Sequence, residues 1–242
     1  MTLPVIVIGA GPVGLAAAVH LLQRGETPLV LEAGSAVGAA IREWRHVRFF
    51  SPWKYTVDSA SSALLEPTGW TLPDADRAPT GAEIVEQYLE PLAAHPLIAP
   101  RIRLNTRVTA IARVGRDKMK TPGRAEAPFA VRVACPDGGE EQLLAKAVID
   151  ASGTWSIPNP LGADGLPALG EANAAGAIFY GIPDVLGAHR DRYAGRRAVV
   201  VTFSQILNPL RLLSATLPAP GCHCVTMRLL ASHRWRVGRP FR

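Results

Sequence analysis

The chain has 242 residues, 48% of them hydrophobic and 19% charged, a balance that supports a folded core and excludes disorder throughout. Its net charge of +6 does not point to nucleic acid: residues 1–201 are neutral, and the whole excess lies in 202–242, which holds six arginines and no lysine, aspartate or glutamate. No uncharged apolar run reaches the roughly 18 residues a membrane helix needs, and three cysteines (Cys135, Cys222, Cys224) are too few for a disulfide framework, so a reducing, cytoplasmic setting is expected.

Residues 1–8 read as a short buried strand, a β-branched run ended by Gly9. No basic segment precedes the run, which separates it from a signal peptide. Gly9-Ala10-Gly11-Pro12-Val13-Gly14 follows, then helix formers from Leu15 to Arg24 with Gly25 as a stop. Residues 27–32 read as a second buried strand ending in Glu32, 18 residues beyond Gly14. Each part suits an adenine dinucleotide. Gly9 allows the tight turn, Gly11 lets a diphosphate approach the backbone, and Gly14 lets the helix pack on the strand. The helix start offers free N–H groups to phosphate. Glu32 stands where an acid accepts from ribose hydroxyls.

Trp44, His46, Phe49, Phe50, Trp53 and Tyr55 crowd one stretch. They read either as the wall of a flavin or substrate pocket or as a satellite core under a loop. Thr80-Gly-Ala-Glu83 is a capping box, opening a helix whose apolar face is Ile84, Val85, Tyr88, Leu89 and Leu92 and which ends at His95-Pro96. Residues 102–111 alternate as one strand. Residues 117–127 read as a solvated hairpin loop, Phe129–Cys135 as a period-two strand, and Gln142–Ile149 as its return after the turn at Asp137-Gly138-Gly139. No zinc-ligand spacing and no G-x-S-x-G elbow is present, so neither a metal site nor a serine hydrolase is expected.

Residues 147–155, Ala-Val-Ile-Asp-Ala-Ser-Gly-Thr-Trp, form an apolar strand followed by Ala151, Ser152 and Gly153. Together with Gly9–Glu32, this stretch resembles the paired FAD motifs of flavoproteins with two dinucleotide-binding domains, most closely the flavin-dependent monooxygenases. The resemblance covers residues 1–201 and implies FAD, a redox role, a small-molecule substrate and NAD(P)H as reductant. It also implies that Ala33, Gly38 and Arg42, in the loop after the second strand, run along the phosphates, where Arg42 is either a pyrophosphate partner or a surface arginine. Val108 stands where the family's backbone meets adenine, and Ala151 and Gly153 stand where the second motif passes the cofactor. A disulfide-reductase type ranks lower because the chain has no C-x-x-C.

Residues 198–201 resemble the strand that opens the family's second dinucleotide fold, but Thr202-Phe-Ser-Gln follows where a glycine motif and His-Ser-Ala are expected. Thr-Phe-Ser-Gln written as ACA-TTC-AGC-CAA gives His-Ser-Ala one base over. With the abrupt loss of acids, this makes 202–242 read as an out-of-frame tail, poorly ordered, with the NAD(P)H site absent. The alternative is a genuine basic tail for phosphate or membrane. The expected architecture is α/β: a Rossmann-like, three-layer FAD-binding domain over 1–158 with a β insertion at about 103–146. A linker with the first strand of an incomplete second dinucleotide-binding domain follows over 159–201, then the tail. The activity implied is that of a flavin oxidoreductase, and the rival is a non-catalytic FAD-binding fragment.

Overall fold

The computed structural model describes residues 2–119, 121–162 and 164–202, and the backbone of 223–229 and 235–237. The chain divides into two compact units, Met1–Arg45 with Ser51–Thr154, and His46–Phe50 with Trp155–Arg242.

The first unit begins β1 (Val5–Ile8), α1 (Pro12–Gln23), β2 (Pro28–Leu31), α2 (Ala39–Glu43), α3 (Trp53–Thr56) and α4 (Ser59–Leu65). It continues with α5 (Gly81–Ile84), a π-helical turn (Val85–Leu89), α6 (Glu90–Ala94) and β3 (Ile102–Arg103). It closes with β4 (Arg107–Arg113), β5 (Phe129–Ala134), β6 (Glu140–Ala145) and β7 (Ala147–Asp150). Strands β3-β2-β1-β7 form a parallel sheet in that order, and β4-β5-β6 form an antiparallel one. The chain steps outward from β1 to β2 and β3, then returns to the other side of β1 as β7. A crevice therefore opens at the carboxyl ends of β1 and β7, where such sheets bind ligands.

The central strands β1 and β2 are buried on both faces, which is why they read as unbroken apolar runs. On one side Ile6 and Leu31 join Val131, Val133 and Ala145 of the antiparallel sheet in one core, with Ile8, Val108, Phe129 and Val148 packed around it. On the other side α1 buries Leu15, Ala18 and Val19. The result is three layers: helices, parallel sheet, antiparallel sheet. Gly25, at φ +71°, ends α1, with Gly25 N–H donating to Leu22 O at 3.0 Å and Glu26 N–H to Leu21 O at 2.9 Å.

The capping box forms as its residues require: Glu83 N–H donates to Thr80 Oγ1 at 3.2 Å and Thr80 N–H to Glu83 Oε2 at 2.7 Å. The helix it opens is interrupted by the π-helical turn. Pro91 has no N–H to offer the carbonyl four residues back, and that carbonyl, Gln87 O, accepts instead from Trp70 Nε1 at 2.6 Å.

Two runs expected as single strands each divide between the sheets. Residues 102–111 split into β3 and β4 around Asn105, whose φ is +52°. Residues 142–149 split into β6 and β7 at Lys146, whose N–H donates to Pro4 O at 3.0 Å. In the second run both halves keep residues on the shared core, Leu143 and Ala145 from β6 and Val148 from β7. Periodicity therefore does not mark the change of partner.

In the second unit residues 155–189 are mostly irregular, followed by α7 (Arg190–Tyr193) and β8 (Arg197–Thr202). β8 pairs antiparallel with β9 (His223–Leu229), and β9 with β10 (Trp235–Val237). The run 198–201 thus lies in a strand, β8, whose one neighbour among the described residues is the antiparallel β9. The expectation of a poorly ordered tail over 202–242 otherwise lies outside the described residues.

Candidate functional site

The glycine turn follows from close contacts at two positions and open space at a third. Gly9 has φ +97°, and a Cβ there would stand 2.7 Å from Ala151 O. A Cβ on Gly14 would stand 1.9 Å from Gly9 O. These two glycines serve the fold: one lets β1 turn beside β7, the other lets α1 close on the turn. Gly11 differs. Its φ is −82° and a Cβ on it would meet nothing within 4 Å. It is the N-cap of α1, with no side-chain cap, with Pro12 in the first turn and no acid there. The first turn therefore presents its amide end and positive dipole to open space, while Ala10 is buried and Val13 is 69% exposed.

Glu32 closes the crevice from the end of β2. It is buried, and its Oε2 accepts from Ala10 N–H at 2.7 Å while Oε1 accepts from Gly34 N–H at 2.8 Å. A carboxylate oxygen takes more than one donor, so the pair of bonds leaves acceptor capacity for ribose hydroxyls. Ala33 is exposed beside it. Gly38, at φ +66°, starts α2 and donates its N–H to Ala10 O at 2.9 Å. The two ends of Ala10 are thereby tied to Glu32 and Gly38.

Arg42 already has partners: Nε donates to Val37 O at 3.0 Å and Nη2 to Glu90 Oε1 at 2.7 Å, linking α2 to α6. The pyrophosphate role expected for it competes with both. From the other side, Ala151 N–H donates to Ile8 O at 2.9 Å, and Gly153 has φ +67° with open space at its Cβ position. Ser152 donates from N and Oγ to Asp150 Oδ1 at 3.0 and 2.6 Å; the hydroxyl bond first, then the amide, hold the Asp150 carboxyl below its usual range. The two motifs, far apart in sequence, thus meet at the ends of adjacent parallel strands, Ile8 opposite Asp150.

Val108 lies in β4 opposite Val133, beside a bulge. The chain just before it reaches the rim: Thr106 N–H donates to Glu32 O at 2.8 Å and Asn105 N–H to Gly34 O at 2.9 Å. Asn105, Thr106 and Gly34 were not among the residues expected at the site. The one sequence signal is Asn105 itself, a residue type that tolerates the left-handed conformation.

The aromatic stretch is divided between the two units. Trp53 is fully buried, Phe50 and Tyr55 are 80% and 74% exposed, and His46–Phe50 belong to the second unit. Tyr55 lines an open groove of about 460 Å³ beside α1, together with Pro12, Val13, Ala16, His20 and Asp58. At one end His20 Nε2 lies 3.0 Å from Asp58 Oδ2. Burial pushes the Asp58 carboxyl up, but the bonds from His20 and Ser61 outweigh it and hold it below its usual range. Among the described residues no three His, Cys, Asp or Glu gather as a metal site, and no helix is long and apolar enough to cross a membrane.

A family model described as pyridine nucleotide-disulphide oxidoreductase matches residues 6–175. No curated protein matches. Among solved structures, the bacillithiol disulfide reductase Bdr from Bacillus cereus is 27% identical with a TM-score of 0.50, over 66% of this chain and 42% of that one. An oxidized steroid monooxygenase bound to NADP is 26% identical over 63% of this chain and 26% of that one, with a TM-score of 0.48. OTEMO in an FAD-bound form is 25% identical over 67% of this chain and 27% of that one, with a TM-score of 0.47. The chain spans less than half the length of the reductase it matches.

Proposed function

The chain belongs to the pyridine nucleotide-disulphide oxidoreductase family, and from that premise we propose that it is an FAD-dependent oxidoreductase of the flavin-monooxygenase type, acting on a small molecule with NAD(P)H as reductant. The observation that carries the reading is the Gly11 position. It is an uncapped helix start with open space where a side chain would stand, two residues beyond Gly9, which abuts Ala151 of the second motif. Those residues fit a dinucleotide diphosphate.

In this reading residues 1–158 are the FAD-binding part, with the antiparallel sheet as its insertion. The amides of Val13 and Gly14, beyond Pro12, receive the diphosphate. Gly11 keeps the approach clear, and Ala10 and Gly9 set the turn. Glu32 takes the ribose hydroxyls, with Ala33 and Gly38 beside it and the Val108 backbone toward the adenine. Ala151 and Gly153 leave room on the β7 side. When bound, FAD supplies two-electron chemistry between a nicotinamide and an acceptor, and the protein supplies position. The absence of any C-x-x-C in the 242 residues weighs against disulfide chemistry despite the family's name. The few cysteines favour the cytoplasm.

A second reading is an FAD-binding chain without NAD(P)H chemistry. It is favoured by one observation: no glycine occurs between Gly195 and Gly221, where the second dinucleotide motif is expected. Purified protein separates the two. FAD absorbance that bleaches with NADPH under exclusion of oxygen supports the enzyme, and retained FAD that does not bleach supports the second reading. A protein that neither retains nor rebinds FAD overturns both.

A further inference from the structure

Resting on the dinucleotide reading above, we infer that Asn105 is a positioning residue that holds the adenosine rim of the crevice in shape. Asn105 is the one non-glycine among the described residues with a positive φ, +52°. It sits where the chain leaves the parallel sheet at β3 and enters the antiparallel sheet at β4. That left-handed step turns two successive amides the same way, so that Asn105 N–H reaches Gly34 O at 2.9 Å and Thr106 N–H reaches Glu32 O at 2.8 Å. Glu32 N–H in turn donates to Arg103 O at 2.9 Å.

The Glu32–Gly34 turn is therefore gripped from outside by residues 103–106 and from inside by its own carboxylate, which holds Gly34 N–H and Ala10 N–H. Below Asn105 the structure is fixed: Thr106 is buried and its hydroxyl donates to Leu104 O at 3.0 Å. The Asn105 side chain itself is exposed. What the position demands is backbone conformation. Asparagine and glycine adopt it at small cost, and alanine and valine do not. A residue that pulls position 105 back toward extended backbone would release the outer grip and let the Glu32 carboxylate move relative to Ala10. The adenosine half of the ligand would then meet a displaced rim.

The test uses Asn105→Gly, Asn105→Ala and Asn105→Val in the full chain, titrated with FAD and separately with ADP, beside a thermal melt of each protein without ligand. Asn105→Gly keeps both Kd values within about twofold of the parent, while Asn105→Val weakens FAD and ADP in the same ratio, by about tenfold. Asn105→Ala falls between them and serves if Asn105→Val does not fold. Lower melting temperatures with unchanged Kd values for Ala and Val would make Asn105 a fold residue only and overturn the inference. Equal loss in Asn105→Gly and Asn105→Val would also overturn it, because the side chain and not the conformation would matter. A parent that binds neither FAD nor ADP overturns the dinucleotide reading and the Asn105 role together.

Discussion

The parallel sheet and the segment 155–196 are built by opposite means. Around the sheet the interior is apolar: Ile6, Val7, Leu15, Val30 and Leu31 are buried, and the elements follow from hydrophobic runs. Among the described residues of 155–196 the buried one is a carboxylate, Glu171, while Ile157, Leu166, Leu169 and Leu186 are exposed. Glu171 accepts from Leu161 N–H at 3.1 Å, from Ala168 N–H at 2.6 Å and from the Tyr180 hydroxyl. Asp184 accepts from Gly187 N–H at 2.9 Å and donates its own N–H to His189 Nδ1 at 3.0 Å. Where no apolar period exists to enforce a ladder, side chains satisfy the backbone one group at a time. The sheet tolerates little change in shape, and the segment tolerates little change in charge.

The strongest way to break the contrast is at the glycine turn. Gly14→Val places carbon where Gly9 O stands. It is expected to cost about 3 kcal/mol in denaturant unfolding and to abolish FAD retention. Gly11→Ala separates fold from ligand. Because nothing lies near its Cβ, the unfolding free energy should stay within about 0.5 kcal/mol of the parent while FAD affinity falls by about tenfold or more. Equal losses of stability in the two variants would show that the turn has no open side.

In the second region Glu171→Gln removes one acceptor oxygen and the charge. We expect faster amide exchange at Leu161 and Ala168 before any change in β1 or β2. Uniform exchange loss across the chain would refute the local scheme.

The smallest effect is at the capping box. Glu83→Gln should cost about 1 kcal/mol. Arg77 Nη1 donates to both Glu83 oxygens, at 2.8 and 2.9 Å, and this bond, ahead of the Thr80 amide, holds the Glu83 carboxyl below its usual range. A carboxyl whose pKa is lowered by folding adds stability above its ordinary pKa and loses it as pH falls through the lowered value. The difference between parent and Glu83→Gln in urea unfolding should therefore be full at neutral pH and shrink on acidification. A difference that grows in acid would reverse the assigned sign.

Much of the site was legible because it is local. Gly9 to Glu32 lies within one strand–turn–helix–strand unit, whose glycine spacing and apolar runs state their own geometry. The capping box is local in the same way. Less legible were the residues whose role depends on a distant partner. Arg42 reads equally as a phosphate partner or a surface arginine until Glu90 stands beside it. The aromatic stretch reads equally as pocket wall or satellite core until Trp53 is found buried and Tyr55 exposed. The π-helical turn needed Trp70 to occupy the carbonyl that Pro91 frees.

By itself the sequence determined the parallel-strand unit, the open glycine at the helix start and the acid at the end of the next strand, because steric and hydrogen-bonding demands within about 30 residues fix them. Only the tertiary structure decided that Gly9 abuts Ala151, that Glu32 holds two amides of its own fold, and that strands read as continuous change sheets at Asn105 and Lys146. Apolar alternation states which face is buried and not which strand lies alongside. That choice is made by backbone hydrogen bonds between residues far apart in the chain.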